Sequence, residues 1–187
     1  MNIHNFTVDT FDFHHLPTEI LKKVEKLSSI AYDLKEPASE NYDIIDWRNK
    51  KHTLMHTLCV AKRYDLFSVV SNSKGNPIAM SGSYIYEGVP IIGVRTFTHP
   101  DYRGGGYWCQ ARYIFPEHIE YYKELGYDKV WFTFNEYNHR LVNFLRRISE
   151  GKASTFGGPR QIYQNLTWYD EPKVIQYTKQ TVAELKL

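Results

Sequence analysis

Apolar and polar positions along this chain follow two periods, and each change of period marks an element. Ile3 to Val8 reads as a short strand. Pro17 then opens a helix in which Ile20, Val24, Leu27 and Ala31 recur on one face, with Lys22, Lys23, Glu25 and Lys26 opposite. KEPASENYD reads as a loop, and a second helix is predicted from Ile44 to Lys62 with Trp47, Leu54, Leu58 and Ala61 inward. The period then shortens. LFSVVSN and PIAMSGSYIYE are strands joined by the turn SKGN, and after a second turn, EGVP, the apolar run IIGVRTFT predicts a central strand. In regular alternation its Ile92, Val94, Thr96 and Thr98 share one face. Tyr107 to Leu125 reads as a helix, kinked or restarted at Pro116 and stopped by Gly126. YDKVWFTFN is a strand. NHRLVNFLRRIS is an amphipathic helix with Leu141, Phe144, Leu145 and Ile148 inward. After EGKASTFGGP, RQIYQNLTWY and KVIQYTK read as a terminal hairpin. The whole is mixed α/β, an α+β arrangement expected to form a single domain over residues 1–187.

Composition narrows the class. The 187 residues are 42% hydrophobic and 24% charged, ordinary for a globular protein, but 16% aromatic with 15 Tyr, which predicts large flat packing surfaces. Lys plus Arg number 23 against 21 Asp plus Glu, a net charge of +2 that does not point to nucleic acid as a partner. Cys59 and Cys109 stand in unrelated contexts, so a disulfide framework is not expected and a reducing compartment fits. No signal peptide and no membrane-spanning run is read, and the expected location is cytoplasmic. The NFT and NLT triplets read as chance.

The densest chemical signal is THPDYRGGGYWCQ, Thr98 to Gln110. Gly104, Gly105 and Gly106 lie between a strand and a helix. A helix start presents free amides and the positive end of a dipole, and glycines let the backbone form a nest around phosphate. Arg103 adds charge beside it. The other reading is a tight turn that needs positive φ and binds nothing.

Around this run the sequence resembles the GNAT superfamily of acyl-CoA-dependent N-acyltransferases. The segment THPDYRGGGYW supplies Arg103 and Gly106 in the register of the family's Arg-x-x-Gly-x-Gly/Ala signature, and VWFTFNEYNHRLVNFLRR reproduces its second motif, with Asn138 opening a helix. The order of elements also matches along the chain, and the motif match covers about Val94 to Arg147. The resemblance implies a central, mostly antiparallel sheet splayed between its fourth and fifth strands and flanked by helices. It implies acetyl-CoA, or another acyl-CoA, as co-substrate, with no metal. The pyrophosphate would rest on the amides of Arg103, Gly104, Gly105, Gly106, Tyr107 and Trp108. The pantetheine arm would pair with the backbone at Phe97 and Thr98, with Asn138 nearby. The acceptor would be an amine of a small molecule or peptide that attacks the thioester directly.

The pattern is broken at three places. Trp108 stands where the signature has Gly or Ala, Leu145 stands where the family often has a Tyr acid, and IIGVRTFT offers no base on its Ile92 face. Substitute catalysts are Glu136 and Tyr137 at the end of the fifth strand and His139 after Asn138; exposed loop positions are the alternative for Glu136 and His139. His99 is read as structural. Cys109 lies near a helix start, where a thiol pKa is lowered, although a covalent intermediate is not expected. The runner-up function is a GNAT-shaped binding or interaction module without catalysis.

Two further patterns carry less. His52 and His56 are one helical turn apart with Cys59 beyond, but no zincin Glu accompanies them, so a polar helix face is the simpler reading. Trp131, Phe132, Phe134, Tyr163, Trp168 and Tyr169 are read as packing between neighbouring strands. An edge strand of the terminal hairpin offers a homodimer contact.

Overall fold

A computed structural model of the chain describes residues 5–12, 17–33, 65–103, 107–135, 139–152, 160–175 and 178–187. Among the described residues eight strands form one sheet: β1 (Thr7–Asp12), β2 (Leu66–Ser71), β3 (Pro77–Tyr86), β4 (Val89–Thr98), β5 (Lys129–Asn135), β6 (Leu166–Trp168), β7 (Lys173–Ile175) and β8 (Thr178–Lys186). Their order is β1-β2-β3-β4-β5-β8-β6, with β7 also on β8. Every pairing is antiparallel except β4 with β5. The described helices are α1 (Thr18–Asp33), α2 (Phe115–Glu124) and α3 (His139–Ser149).

Helices cover both faces, and the period of two along the strands divides the core between them. Ile20, Val24 and Leu27 of α1 pack with Phe67, Val69, Met80 and Ile91, as their spacing predicts. On the other face Ile114, Phe115, Ile119 and Tyr122 pack with Val70, Val130, Phe132 and Phe134, joined by Leu145 and Ile148 of α3. The aromatic group separates in the same way. Phe132 meets Tyr163 and Phe134 stacks on Trp168 on one face, while Trp131 meets Tyr169 on the other. The β2–β3 turn forms at SKGN, where the Asn72 side-chain oxygen accepts from the Lys74 and Asn76 amides.

Four expectations are corrected. The first strand begins at Thr7 rather than Ile3; Asn5 has a φ of 52°, and Phe6 is buried against Tyr102, Tyr107 and Tyr113 instead of entering the sheet. The helix after the glycine run begins at Gln110 rather than Tyr107, and of the two alternatives at Pro116 it takes the restart, not the kink. A π turn, Gln110–Ile114, precedes α2, and the Phe115 amide donates five residues back to the Gln110 carbonyl. That wider turn lets Pro116 enter α2 at its first turn, where a missing N–H and a fixed φ cost nothing.

The C-terminal hairpin is arranged differently. Arg160–Tyr163 is a 3-10 turn, and β6 and β7 do not pair with each other but lie end to end on β8. The long β8 also pairs with β5 along its length. Finally, IIGVRTFT does not alternate regularly. Ile92 packs with α2 and α3 while Val94 packs toward α1, because Gly93, at φ +87°, is an extra residue opposite β3. The stop at Gly126 holds: its φ is +85°, its amide donates to the Lys123 carbonyl and the Tyr127 amide to the Tyr122 carbonyl. Ala31's side chain and the predicted helix Ile44–Lys62, with His52, His56 and Cys59, lie outside the described residues.

Candidate active site

β4 and β5 are joined in register only at Ile91↔Trp131 and Ile92↔Phe132. The pairing stops at the Gly93 bulge. A bulge bends and twists its strand, and past it β4 stays paired with β3 through Met80↔Phe97 and Ala79↔Thr98 but no longer with β5. Beyond Ile92 and Phe132 the two strands are unpaired, so the facing edges that run on to Thr98 and to Asn135 are not joined to each other.

The glycine run leaves from this open end. Pro100–Tyr102 form a 3-10 turn whose first amide, at Asp101, meets the His99 ring at 3.3 Å, so His99 is structural, as expected. Gly104 to Gly106 lie outside the described residues, but both ends of the run are fixed. The flanking rings of Tyr102 and Tyr107 are 5.3 Å apart, and both touch Phe6. Arg103 donates from Nε to the Thr98 carbonyl at 2.7 Å, with its guanidinium 5.2 Å from the Phe97 ring centre. Gln110 donates from Nε2 to the Phe97 carbonyl at 2.8 Å and accepts from the Thr98 hydroxyl at 2.8 Å. Sequence reasoning missed Gln110; its only signal was its place at the first turn after the run.

Trp108 has a left-handed backbone, φ +50°, and its carbonyl accepts the Arg112 amide. Glycine would adopt this φ without strain, whereas Trp108 carries it. The indole turns toward α3, stacks on Phe144 and joins the core there.

The sequence matches no protein-family model and no curated protein. Solved structures do match it. An acetyltransferase from Streptococcus agalactiae superposes with a TM-score of 0.62 at 11% identity, over 99% of this chain and 100% of its own. The PaiA N-acetyltransferase of Thermoplasma acidophilum, in complex with coenzyme A, gives 0.59 at 10% identity over 97% and 99%. A GNAT-family acetyltransferase from Staphylococcus aureus gives 0.59 at 10% identity, again over 97% and 99%. This chain has the GNAT fold. The α+β class, the mostly antiparallel sheet and the splay at strands four and five are all as the sequence resemblance implied.

On this GNAT fold the candidate catalysts separate. Glu136, Tyr137 and Asn138 lie outside the described residues, whereas His139 is exposed as the first residue of α3. Leu145 is fully buried in the core, so it supplies packing where many GNAT sequences have an acid. Cys109 is corrected. Burial pushes its thiol up to about 12, outweighing its backbone hydrogen bond and the nearby Arg112 charge that lower it. Two other buried groups belong to the scaffold. His118 meets the Ser68 hydroxyl at 2.8 Å, and burial pushes its pKa down to about 3. Tyr163 donates to the Ala111 carbonyl at 2.7 Å. Among the described residues no cluster of His, Cys, Asp and Glu is placed to hold a metal, and no helix is long and apolar enough to cross a membrane.

Proposed function

We propose that this chain is an acyl-CoA N-acyltransferase, with acetyl-CoA the first co-substrate to test and an amine of a small molecule or peptide as acceptor. The observation that carries this reading is the splay: β4 leaves β5 at the Gly93 bulge and ends in a glycine run whose neck is fastened at Phe97 and Thr98. An open strand edge suits the amides of a pantetheine arm, and a helix start suits pyrophosphate. The coenzyme A complex of the Thermoplasma protein, on the same fold, supports the choice of ligand.

In this reading the backbone at Phe97 and Thr98 holds the arm. The amides of Arg103, Gly104, Gly105, Gly106, Tyr107 and Trp108 hold the pyrophosphate, and Asn138, which precedes α3 in the chain, is the remaining cofactor contact. Acyl-CoA supplies the activated thioester. A backbone amide at the end of β4 polarises its carbonyl as oxyanion charge develops. The acceptor amine, its proton lost to Glu136, Tyr137 or His139 directly or through water, attacks the carbonyl carbon; the C–N bond forms, the C–S bond breaks, and CoA leaves as a thiolate that takes up a proton from water. The protein works in the cytoplasm and needs no metal for this chemistry. A non-catalytic module is the second reading, favoured by the buried Leu145.

Calorimetric titration with CoA, followed by acetylation assays over small amines and peptides, tests both readings. Binding with turnover supports the enzyme. Binding without turnover on any acceptor supports the module, and no binding removes both cofactor and activity.

A further inference from the structure

We infer that Gln110 is a positioning residue that fastens the neck of the glycine loop to the end of β4 before any ligand arrives. Its side chain is only 8% exposed and sits at the first residue of the π turn. The backbone carbonyl of Gln110 is engaged by the Phe115 amide, while its side-chain amide faces the strand. A carboxamide offers a donor and an acceptor together, and Gln110 uses both: Nε2 on the Phe97 carbonyl and Oε1 under the Thr98 hydroxyl. From the other side of the run Arg103 holds the Thr98 carbonyl. The two ends of the loop therefore grip adjacent residues of one strand, and the Tyr102–Tyr107 contact closes the gap between them.

A glycine run has the most backbone freedom to lose on binding. Fixing its ends in the free protein lowers the ordering cost that a ligand must meet. Gln110 does this without charge, so its contribution is distinct from any attraction of Arg103 for an anion. The consequence for affinity rests on the acyl-CoA reading; the fastened neck is a property of the ligand-free chain.

The test uses the full chain with Gln110→Met, which keeps length without polar atoms, and Thr98→Val, which removes only the hydroxyl. Amide hydrogen exchange of residues 97–99 and 107–111 without ligand is expected to quicken at least tenfold in both variants, and the double variant is expected to add little. Thr98→Ser should behave as the parent. The CoA dissociation constant is expected to rise about tenfold in Gln110→Met and Thr98→Val. If Gln110→Met does not fold, Gln110→Glu, which cannot donate to the Phe97 carbonyl as a carboxylate, carries the same expectations. Folded variants with exchange within twofold of the parent overturn the neck. Quickened exchange with unchanged CoA affinity overturns its role in binding. A parent that binds no CoA overturns the acyl-CoA reading and the affinity consequence together, while exchange still decides the neck.

Discussion

The Trp108 indole lies nearly flat on the Phe144 ring, with centroids 4.6 Å apart and planes 19° apart. This contact ties the first turn after the glycine run to α3 and helps hold Trp108 at φ +50°. The stack is worth about 0.5–1.5 kcal/mol beyond burial, whereas a non-glycine residue in this region carries roughly 1–2 kcal/mol of strain. The two substitutions that remove the ring therefore differ. Trp108→Gly loses the packing but releases the strain; Trp108→Ala loses the packing and keeps it. Urea unfolding is expected to show the Gly variant more stable than the Ala variant by about 1 kcal/mol, the reverse of their order at an ordinary helical position.

A second prediction concerns acid. His118 is fully buried in α2, its Nε2 at the Ser68 hydroxyl and its Nδ1 without a hydrogen-bond partner. Folded, it stays neutral down to about 3; unfolded, it takes up a proton near 6.5. Between these values the unfolded chain holds the extra proton. The stability contributed by the neutral ring is complete above pH 6.5 and falls as pH drops toward 3, by up to roughly 1.4 kcal/mol per pH unit. Gln places its amide near the position of Nε2, so His118→Gln should lose some stability at pH 7 and show a shallower decline between pH 6 and 4. Equal slopes in parent and variant would remove His118 from the acid response.

Cys109 should be chemically silent. It is 1% exposed, and its thiol is pushed up to about 12, so neither access nor thiolate is available at neutral pH. In a Cys59→Ser background, a disulfide reagent at pH 7.5 is expected to label the native protein only at the rate of unfolding and the denatured protein at once. Rapid native labelling would place Cys109 at a surface.

These sites differ in how far the sequence announced them. Helix α1 and strands β2, β3 and β5 were legible because their apolar spacing matches their burial, and the Gly126 stop is local backbone chemistry. The glycine run and Asn138 stand out as motifs, but both lie outside the described residues. What was not legible depends on partners distant in sequence. TVAELK is rich in helix formers but becomes part of β8 because β5 pairs along it on one side and β6 on the other. Pro116 announced a kink or a restart; the restart is what forms, but the π turn upstream that allows it was not legible. Gln110 carried no signal of its own, since its role exists only once Phe97 and Thr98 are brought beside it. Gly93 was hidden inside an apolar run, where alternation was assumed to continue.

Gly93 is also where fold and proposed chemistry meet. Its φ of +87° supplies the bulge at which β4–β5 pairing stops. A Cβ there would lie 3.5 Å from the Phe115 ring, an ordinary contact, so conformation rather than space opposes a side chain. Gly93→Ala is expected to cost about 1–2 kcal/mol. Part of that strain can be relieved by straightening β4, which would extend its pairing with β5 and narrow the splay. CoA affinity should then fall together with stability. Gly88→Ala is the control: its φ is +79° with nothing within 4 Å of the added carbon, and it sits in the turn between β3 and β4, at the opposite end of β4 from Thr98. It should lose comparable stability and keep the parent's CoA affinity. Equal affinity in both variants would separate the bulge from ligand binding and leave the splay to be explained by the packing of Ile92 and Phe132 against α2.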